Sequence, residues 1–406
     1  MYKQWIYQSH AGKPSLKTRI WFFLIKLLTH KSPMLYSYQS SLPRLPLPRL
    51  SQTIQRYLLS IKPLKSEQEF DEIKRLAHEF ELQIGKKLQL YLWLKSWWSS
   101  NYVSDWWEEF VYLKSRQSLM INSNFYGIDA LVRLTNRQTS RAANLIYGCL
   151  LFRQQIDRQK LKPILLQNLV PLCSWQYERM FNTTRIPCVE TDLLIHKKDS
   201  EYIVIHYKQQ FYKLIIHSKG KLLKPKQIEF LLDKIIANHK DDDEQLYLSS
   251  LTSQNRMKWA KIRNEFFSKG INRISLTTIE NAAFIVVLTD ETLEFDTQKQ
   301  LNEFGQFLLH GKGKHIWFDK SFNLIVARNG QVGFNGEHSW ADAPIMAHLW
   351  EFIIAYDFNV LNYDENGKCK ANGDHSTEQL SPAIQLKWEF NEKLIQKLQK
   401  AYQNGN

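Results

Sequence analysis

A histidine and a carboxylate stand four residues apart in the segment Gly336-Glu337-His338-Ser339-Trp340-Ala341-Asp342-Ala343-Pro344. An imidazole titrates near pH 6.5 and can take a proton from a hydroxyl or thiol under neutral conditions. A carboxylate at HxxxD spacing can fix the tautomer and orientation of the ring. His338 and Asp342 would then act as a general base and its orienting acid, with neither serving as the nucleophile. On the spacing alone a plainer reading competes, with Asp342 as a helix N-cap and His338 as an ordinary loop histidine, because short motifs match by chance.

The surrounding residues predict elements that would present such a pair. Leu324 to Ala327 is an apolar, β-branched run, Asn329-Gly330 is a two-residue turn signal, and Gln331-Val332-Gly333-Phe334 returns as a second strand. Pro344 suits the first turn of a helix, with Asp342 near its N-cap, and Ile345 to Phe352 continues as an apolar-faced helix. His338 therefore falls in the connection between a hairpin and a helix, where reactive groups are often held.

The chain has 406 residues, 44% apolar and 23% charged, which is globular composition with room for one large two-part domain. Aromatic content is 13%, with 13 Trp, which suits deep packed layers and apolar pockets. The net charge of +14 favours polyanionic partners, CoA-type cofactors among them. The basic residues are dispersed, however, and the runs Lys219 to Lys226 and Lys312 to His315 read as solvated faces. No basic recognition helix or nucleic-acid module is present, so nucleic-acid binding is set aside. Cys149, Cys173, Cys188 and Cys369 lack metal or redox spacing and read as reduced thiols, and no metal site is expected. No stretch is long and apolar enough to span a membrane. Ile20 to Leu28 is short, interrupted by Lys26 and flanked by Lys17, Arg19 and Lys31, and its default reading is a buried helix, with a membrane-surface helix as the alternative. Met1 to Lys13 shows no apolar core of a signal peptide.

Along the chain, Leu42-Pro43-Arg44-Leu45-Pro46-Leu47-Pro48 must be extended. Helical periodicity covers Thr53 to Ile61, Glu67 to Lys95, Thr139 to Gln155, Pro225 to His239 and Thr297 to Leu309. Tyr202 to Tyr207 and Phe211 to His217 read as a hairpin, and Asp241-Asp242-Asp243-Glu244 as a solvated linker. An aromatic block from Trp93 to Tyr112 reads as a core helix pair in which a few rings could line a pocket for a quaternary ammonium. Helices and strands interleave, so the class is α/β or α+β with a mixed sheet.

These residues resemble the choline/carnitine acyltransferase family, and within it the mitochondrial outer-membrane members that act on long-chain acyl groups. Leu42 to Pro48, with Leu50, Thr53, Ile54 and Tyr57, resembles one family signature. Trp317-Phe318-Asp319-Lys320-Ser321-Phe322, Asn329-Gly330 and Glu337 to Ala343 resemble a second. Leu47 and Ile316 depart from the usual residues, Ile316 standing where the family has Arg. Ser37 to Ser41, Ser104 to Glu109, Met180 to Pro187 and Leu308 to Gly311 match the outer-membrane type in the same order.

The resemblance implies transfer of a fatty acyl group between CoA and the hydroxyl of carnitine. His338 matches the catalytic base and Asp342 the carboxylate that orients it. Trp107 and Tyr112 match aromatic positions near carnitine. It implies acyl-CoA as co-substrate with no permanently bound cofactor, and a chloramphenicol-acetyltransferase-like mixed sheet with many helices, here the N-terminal half of a two-part domain. It divides the chain into a juxtamembrane-like segment, 1–40, and an incomplete acyltransferase domain, 41–406. Met1 to Ile6 resembles the stretch after a membrane helix, and the carnitine-carboxylate, CoA-phosphate and Ser-Thr-Ser elements of the second half are not found after Ala371. The expectation is a chain cut at both ends and inactive by itself, with a non-catalytic binding or regulatory remnant as the alternative. Membrane association is expected of the full-length protein, on the outer mitochondrial membrane facing the cytosol, while this chain alone would be cytosolic.

Overall fold

The computed structural model describes residues 13–29, 33–129, 133–240, 247–370, 377 and 380–405. The stretches Met1 to Ile6 and Asp241 to Glu244, read above from sequence, lie outside the described residues. The chain forms two compact units, Ser41–Glu108 and the combination of Met1–Ser40 with Glu109–Asn406.

The larger unit is an α/β structure around a mixed seven-stranded sheet. Its strands are β1 (Asn124–Ile128), β2 (Tyr202–Tyr207), β3 (Gln210–Ile215), β4 (Ile285–Leu288), β5 (Phe322–Val326), β6 (Val332–Glu337) and β7 (Ile384–Gln385). Their spatial order is β1-β6-β5-β4-β2-β3-β7. Pairing is parallel for β5 with β4 and β4 with β2, and antiparallel elsewhere. The central strands are nearly continuous apolar runs because both faces of the sheet are covered. Along β2, Ile203 and Ile205 enter one core while Val204 enters the other.

The first helix, α1 (Leu16–Leu28), precedes the smaller unit, which holds α2 (Leu50–Ile61), α3 (Glu67–Leu82), α4 (Ile84–Trp98) and α5 (Ser104–Trp107). In the larger unit α6 (Gln138–Asp157), α7 (Pro225–Asn238), α8 (Arg256–Phe266), α9 (Gly270–Asn281), α10 (Gln298–His310), α11 (Ala343–Tyr356) and α12 (Glu392–Gly405) follow. Residues of α6, α7 and α11 fill the core on one face of the sheet, and residues of α8, α9, α10 and α12 the other. Helix α6 is buried on nearly every side, not along the single face its periodicity suggests, because it lies across the middle of that layer.

Several expectations are corrected. The long helix expected over Glu67 to Lys95 is two, α3 and α4, broken where Gln83 leaves the helical region at φ −103° and ψ −98°. The break lets both halves pack on α2. The expected core of aromatic residues in this region is largely on the surface: Trp98 is 74% exposed, Trp97 53% and Trp107 55%, and of the block's aromatics only Tyr102 is buried among the described residues. A unit this small has too little interior to hide so many large rings. Helix α1 is also not a buried helix, since only Phe22 and Ile25 are covered. The proline strap is extended as its composition requires, and within its unit it is held by Arg44 donating to the Trp97 carbonyl at 2.5 Å and by Gln89 donating to the Pro48 carbonyl at 3.0 Å.

Lys320 has no solvent exposure, and its ammonium donates to the Glu280 carbonyl at 2.7 Å. Burial pushes its pKa down to about 7 against the pull of Glu280. From pH 7 to the ordinary lysine range the unfolded chain then binds a proton the folded chain does not, so this residue makes stability rise with pH across that window. Below pH 7 both states are protonated and its destabilising effect is complete. Lys320→Met is expected to raise the melting temperature at pH 7 and to flatten the rise between pH 7 and 10, measured by thermal denaturation at a series of pH values.

Candidate functional site

Strand β6 carries its last residue, Glu337, into register with Asn124 of β1. His338 follows at once. The segment around it is tightly held: Glu337 is 2% exposed, Ser339 5%, Trp340 0% and Ala341 2%. The His338 side chain, at 32%, is the open position in this run. Ser339 donates to the Glu337 carboxylate from both its backbone nitrogen (3.0 Å) and its hydroxyl (2.6 Å). The Trp340 indole donates to the Ser321 carbonyl at 2.9 Å. The residues on each side of the histidine are thus anchored to the sheet, and the imidazole is presented from a rigid connection.

The hairpin that delivers β6 turns through three residues, Arg328 to Gly330, not the two predicted. Gly330 donates to the Ala327 carbonyl at 2.9 Å and Ala327 to the Gln331 carbonyl at 2.8 Å. Gly330 has φ +79° while Asn329 is not left-handed, so this is a type I turn closed by a glycine bulge. Gly336 is required by close approach, since a Cβ there would come within 2.8 Å of the Phe125 ring. That ring and Tyr112 each lie 5.1 Å from the imidazole, centroid to centroid, and fix its position by packing.

The carboxylate of Asp342 lies 3.8 Å from His338 Nε2, an ion-pair distance longer than a hydrogen bond. At this distance no hydrogen bond from Asp342 orients the ring, and orientation comes from the flanking rings and the anchored backbone. Asp342 occupies the N-cap position of α11 but makes no capping bond with its side chain. Gln176 holds it instead. The Gln176 amide donates to Asp342 Oδ2 at 3.2 Å, and the Asp342 backbone nitrogen donates to the Gln176 side-chain oxygen at 3.1 Å. Sequence reasoning missed Gln176, which lies far away in the chain and outside every motif.

Sequence reasoning also missed a buried ionic network behind the histidine. Arg185 donates to Glu337 (2.9 Å), to Asp192 (2.8 Å) and to the Tyr112 carbonyl (2.6 Å). Arg256 donates to Asp192 (2.7 Å) and Asp319 (2.6 Å), and Trp259 donates to Asp319 at 2.6 Å. Arg116 adds a third cation at 3.0 Å from Asp192. Burial alone would raise the Asp192 carboxyl, but Arg256 and Arg185 hold it below the usual range. Through Arg185 the network fixes both the residue before His338 and the backbone of the residue whose ring packs on it. The only signal in sequence was that Arg185 lies in the block Met180 to Pro187, Asp319 in Trp317 to Phe322 and Glu337 at the start of Glu337 to Ala343.

Tyr112 therefore stands beside His338. Trp107 ends α5 in the smaller unit, where it is exposed. No group of three or more His, Cys, Asp or Glu residues suited to a metal ion occurs among the described residues. All four cysteines are free thiols.

The family model for choline/carnitine O-acyltransferase matches residues 45–406, and the chain belongs to that family. Carnitine O-palmitoyltransferase 1, muscle isoform, of Homo sapiens is 44% identical over 99% of this chain and 52% of its own length. The liver isoform of carnitine O-palmitoyltransferase 1 from Homo sapiens is 46% identical over 91% of this chain and 49% of its own. Carnitine O-acetyltransferase of Mus musculus is 30% identical over 79% of this chain and 53% of its own. The chain thus spans about half the length of the curated relatives it matches. A chloramphenicol acetyltransferase structure aligns with 60% of this chain and 89% of its own at 10% identity and a TM-score of 0.27, a likeness too slight to bear on the fold.

The buried arginine behind the histidine and the exposed carboxylate beside it should respond very differently to mutation. Arg185→Met leaves Glu337 and Asp192 short of a buried partner and is expected to cost about 3–5 kcal/mol. Asp342→Ala, at a side chain 67% exposed with no capping bond, should change stability by no more than about 0.5 kcal/mol. Urea denaturation of both variants checks the contrast, and a loss of about 1 kcal/mol or more in Asp342→Ala would restore the N-cap reading.

Proposed function

We propose that this chain carries the general-base half of a carnitine O-acyltransferase site for long-chain acyl groups. The observation that carries the reading is the presentation of His338, a half-open imidazole set in a buried and anchored segment beside Asp342. The names of its relatives support carnitine and a palmitoyl group as substrates, and acyl-CoA is proposed as the donor. CoA enters as co-substrate, with no resident cofactor, and the net charge of +14 suits its phosphates.

The chemistry follows from an imidazole base. His338 takes the proton from the carnitine hydroxyl as its oxygen attacks the thioester carbonyl. The C–O bond forms, the C–S bond breaks, and the imidazolium returns the proton to the departing thiolate. The products are acylcarnitine and free CoA, with no acyl-enzyme between. Asp342 stabilises the imidazolium through its charge, and Gln176 holds Asp342 in place. Tyr112 and Trp107 are proposed as carnitine contacts, where an aromatic face would attract the trimethylammonium group. Placement on the cytosolic face of the mitochondrial outer membrane is likewise proposed.

General-base assistance contributes about 10²- to 10⁴-fold in rate. The test measures palmitoylcarnitine formation from palmitoyl-CoA and carnitine. One protein is the 406-residue chain. The other is a chimera that supplies, from one of the relatives, the length this chain does not match. The chain alone is expected to show no measurable transfer. In the chimera, His338→Ala should lower kcat at least about 100-fold with the fold intact, Asp342→Ala should cost less, and Gln176→Ala less again. A folded His338→Ala chimera working at near the parental rate would exclude His338 as the base. An active, His338-dependent 406-residue chain would show that these residues suffice. A folded chimera without activity would leave the non-catalytic binding reading in its place.

A further inference from the structure

Helix α1 has two apolar faces, and the protein uses one. Phe22 and Ile25 turn inward, with the Phe22 ring 6.0 Å from Tyr38. On the outside, Leu16 is 73% exposed, Ile20 52%, Phe23 61%, Leu24 52% and Leu27 66%. At about 100° per residue these five side chains fall in one continuous stripe centred near Leu27. Cations flank the stripe on both sides, with Leu28, 81% exposed, just beyond Lys17. Lys17 lies along one edge and Arg19 and Lys26 along the other, all exposed. The helix contains no acidic residue.

We propose that the outward face of α1 seats in the interface of an anionic lipid bilayer, with the helix axis in the membrane plane. Its 13 residues span about 20 Å, too short to cross a hydrocarbon core of about 30 Å but suited to lying on it. In that orientation the apolar stripe enters the acyl boundary, while the stems of Lys17, Arg19 and Lys26 run outward and their charges meet the phosphates. Charge selects this occupant over a second copy. A symmetric pairing of two such faces would bring Lys17, Arg19 and Lys26 towards their own counterparts with no carboxylate on the helix to offset them. A single amphipathic helix gives weak, reversible attachment that depends on salt and on anionic lipid. The inference deepens the membrane placement proposed above, and because its readout is binding, its failure is distinct from failure of the transfer reaction.

The experiment is flotation of the 406-residue chain with vesicles of phosphatidylcholine alone or mixed with phosphatidylserine, since protein aggregates do not float. The chain should float with the anionic vesicles, less so at high salt, and about tenfold less with the neutral ones. The double variant Phe23→Glu/Leu27→Glu should lose about tenfold or more of the anionic binding. Lys17→Glu/Lys26→Glu should lose the preference for anionic over neutral vesicles. All four side chains are exposed, so unchanged circular-dichroism melts are expected. Failure of the parent chain to float, equal flotation with both vesicle types, or undiminished flotation of Phe23→Glu/Leu27→Glu each overturns the proposal. So does a dimer in solution that the Phe23→Glu/Leu27→Glu variant dissociates, which would assign the face to a second copy.

Discussion

Arg185 is the interaction on which the site depends. It is wholly buried, and a buried guanidinium is tolerated only when its donors are met by charge and by hydrogen bonds. Here Glu337, Asp192 and the Tyr112 carbonyl meet them. Asp192 is shared with Arg256, which reaches Asp319, and Arg116 completes a set of three cations and three carboxylates. Such a network is a poor source of net stability, because desolvation offsets most of the attraction. Its consequence is geometric. A half-satisfied network is worse than an apolar core, so the strands that carry these residues are held to one arrangement. That arrangement brings the end of β6, the ribbon Thr183–Ile186 and the backbone of Tyr112 to one place.

The histidine benefits from this arrangement without belonging to it. Glu337 and Ser339 on either side are bonded to each other, and Trp340 is tied to the strand beside it. The imidazole is left half open between two rings. Asp342 is more exposed and lies at ion-pair distance, so its effect on the ring is screened by water. Positioning here comes from packing and the network, and the carboxylate contributes charge. This is how a reactive group can be held still on the end of a sheet while remaining accessible.

Exposure follows a different logic on the two units. The larger unit covers both faces of its sheet and keeps its apolar strands dry. The smaller unit and helix α1 carry many of the large apolar side chains that remain at the surface. In α1 these side chains form an ordered stripe with cationic edges, a pattern that scattered surface residues do not produce.

By itself the sequence determined the periodic and local features. The strands around Asn329-Gly330, helix α10 ending before Gly311, the extended proline strap and the start of α11 beside Pro344 follow from side-chain period and turn chemistry, which act over a few residues. The HxxxD spacing offered His338 and Asp342 as candidates for the same reason, since it is a short, ordered string. Only the tertiary structure decided the rest. Arg185 meets Glu337 across 152 positions, and Gln176 meets Asp342 across 166. Nothing local in the chain marks either meeting. Whether the Trp93 to Tyr112 rings and the outer face of α1 were buried was equally undetermined, because an apolar stripe has the same spacing whether protein, lipid or water lies against it.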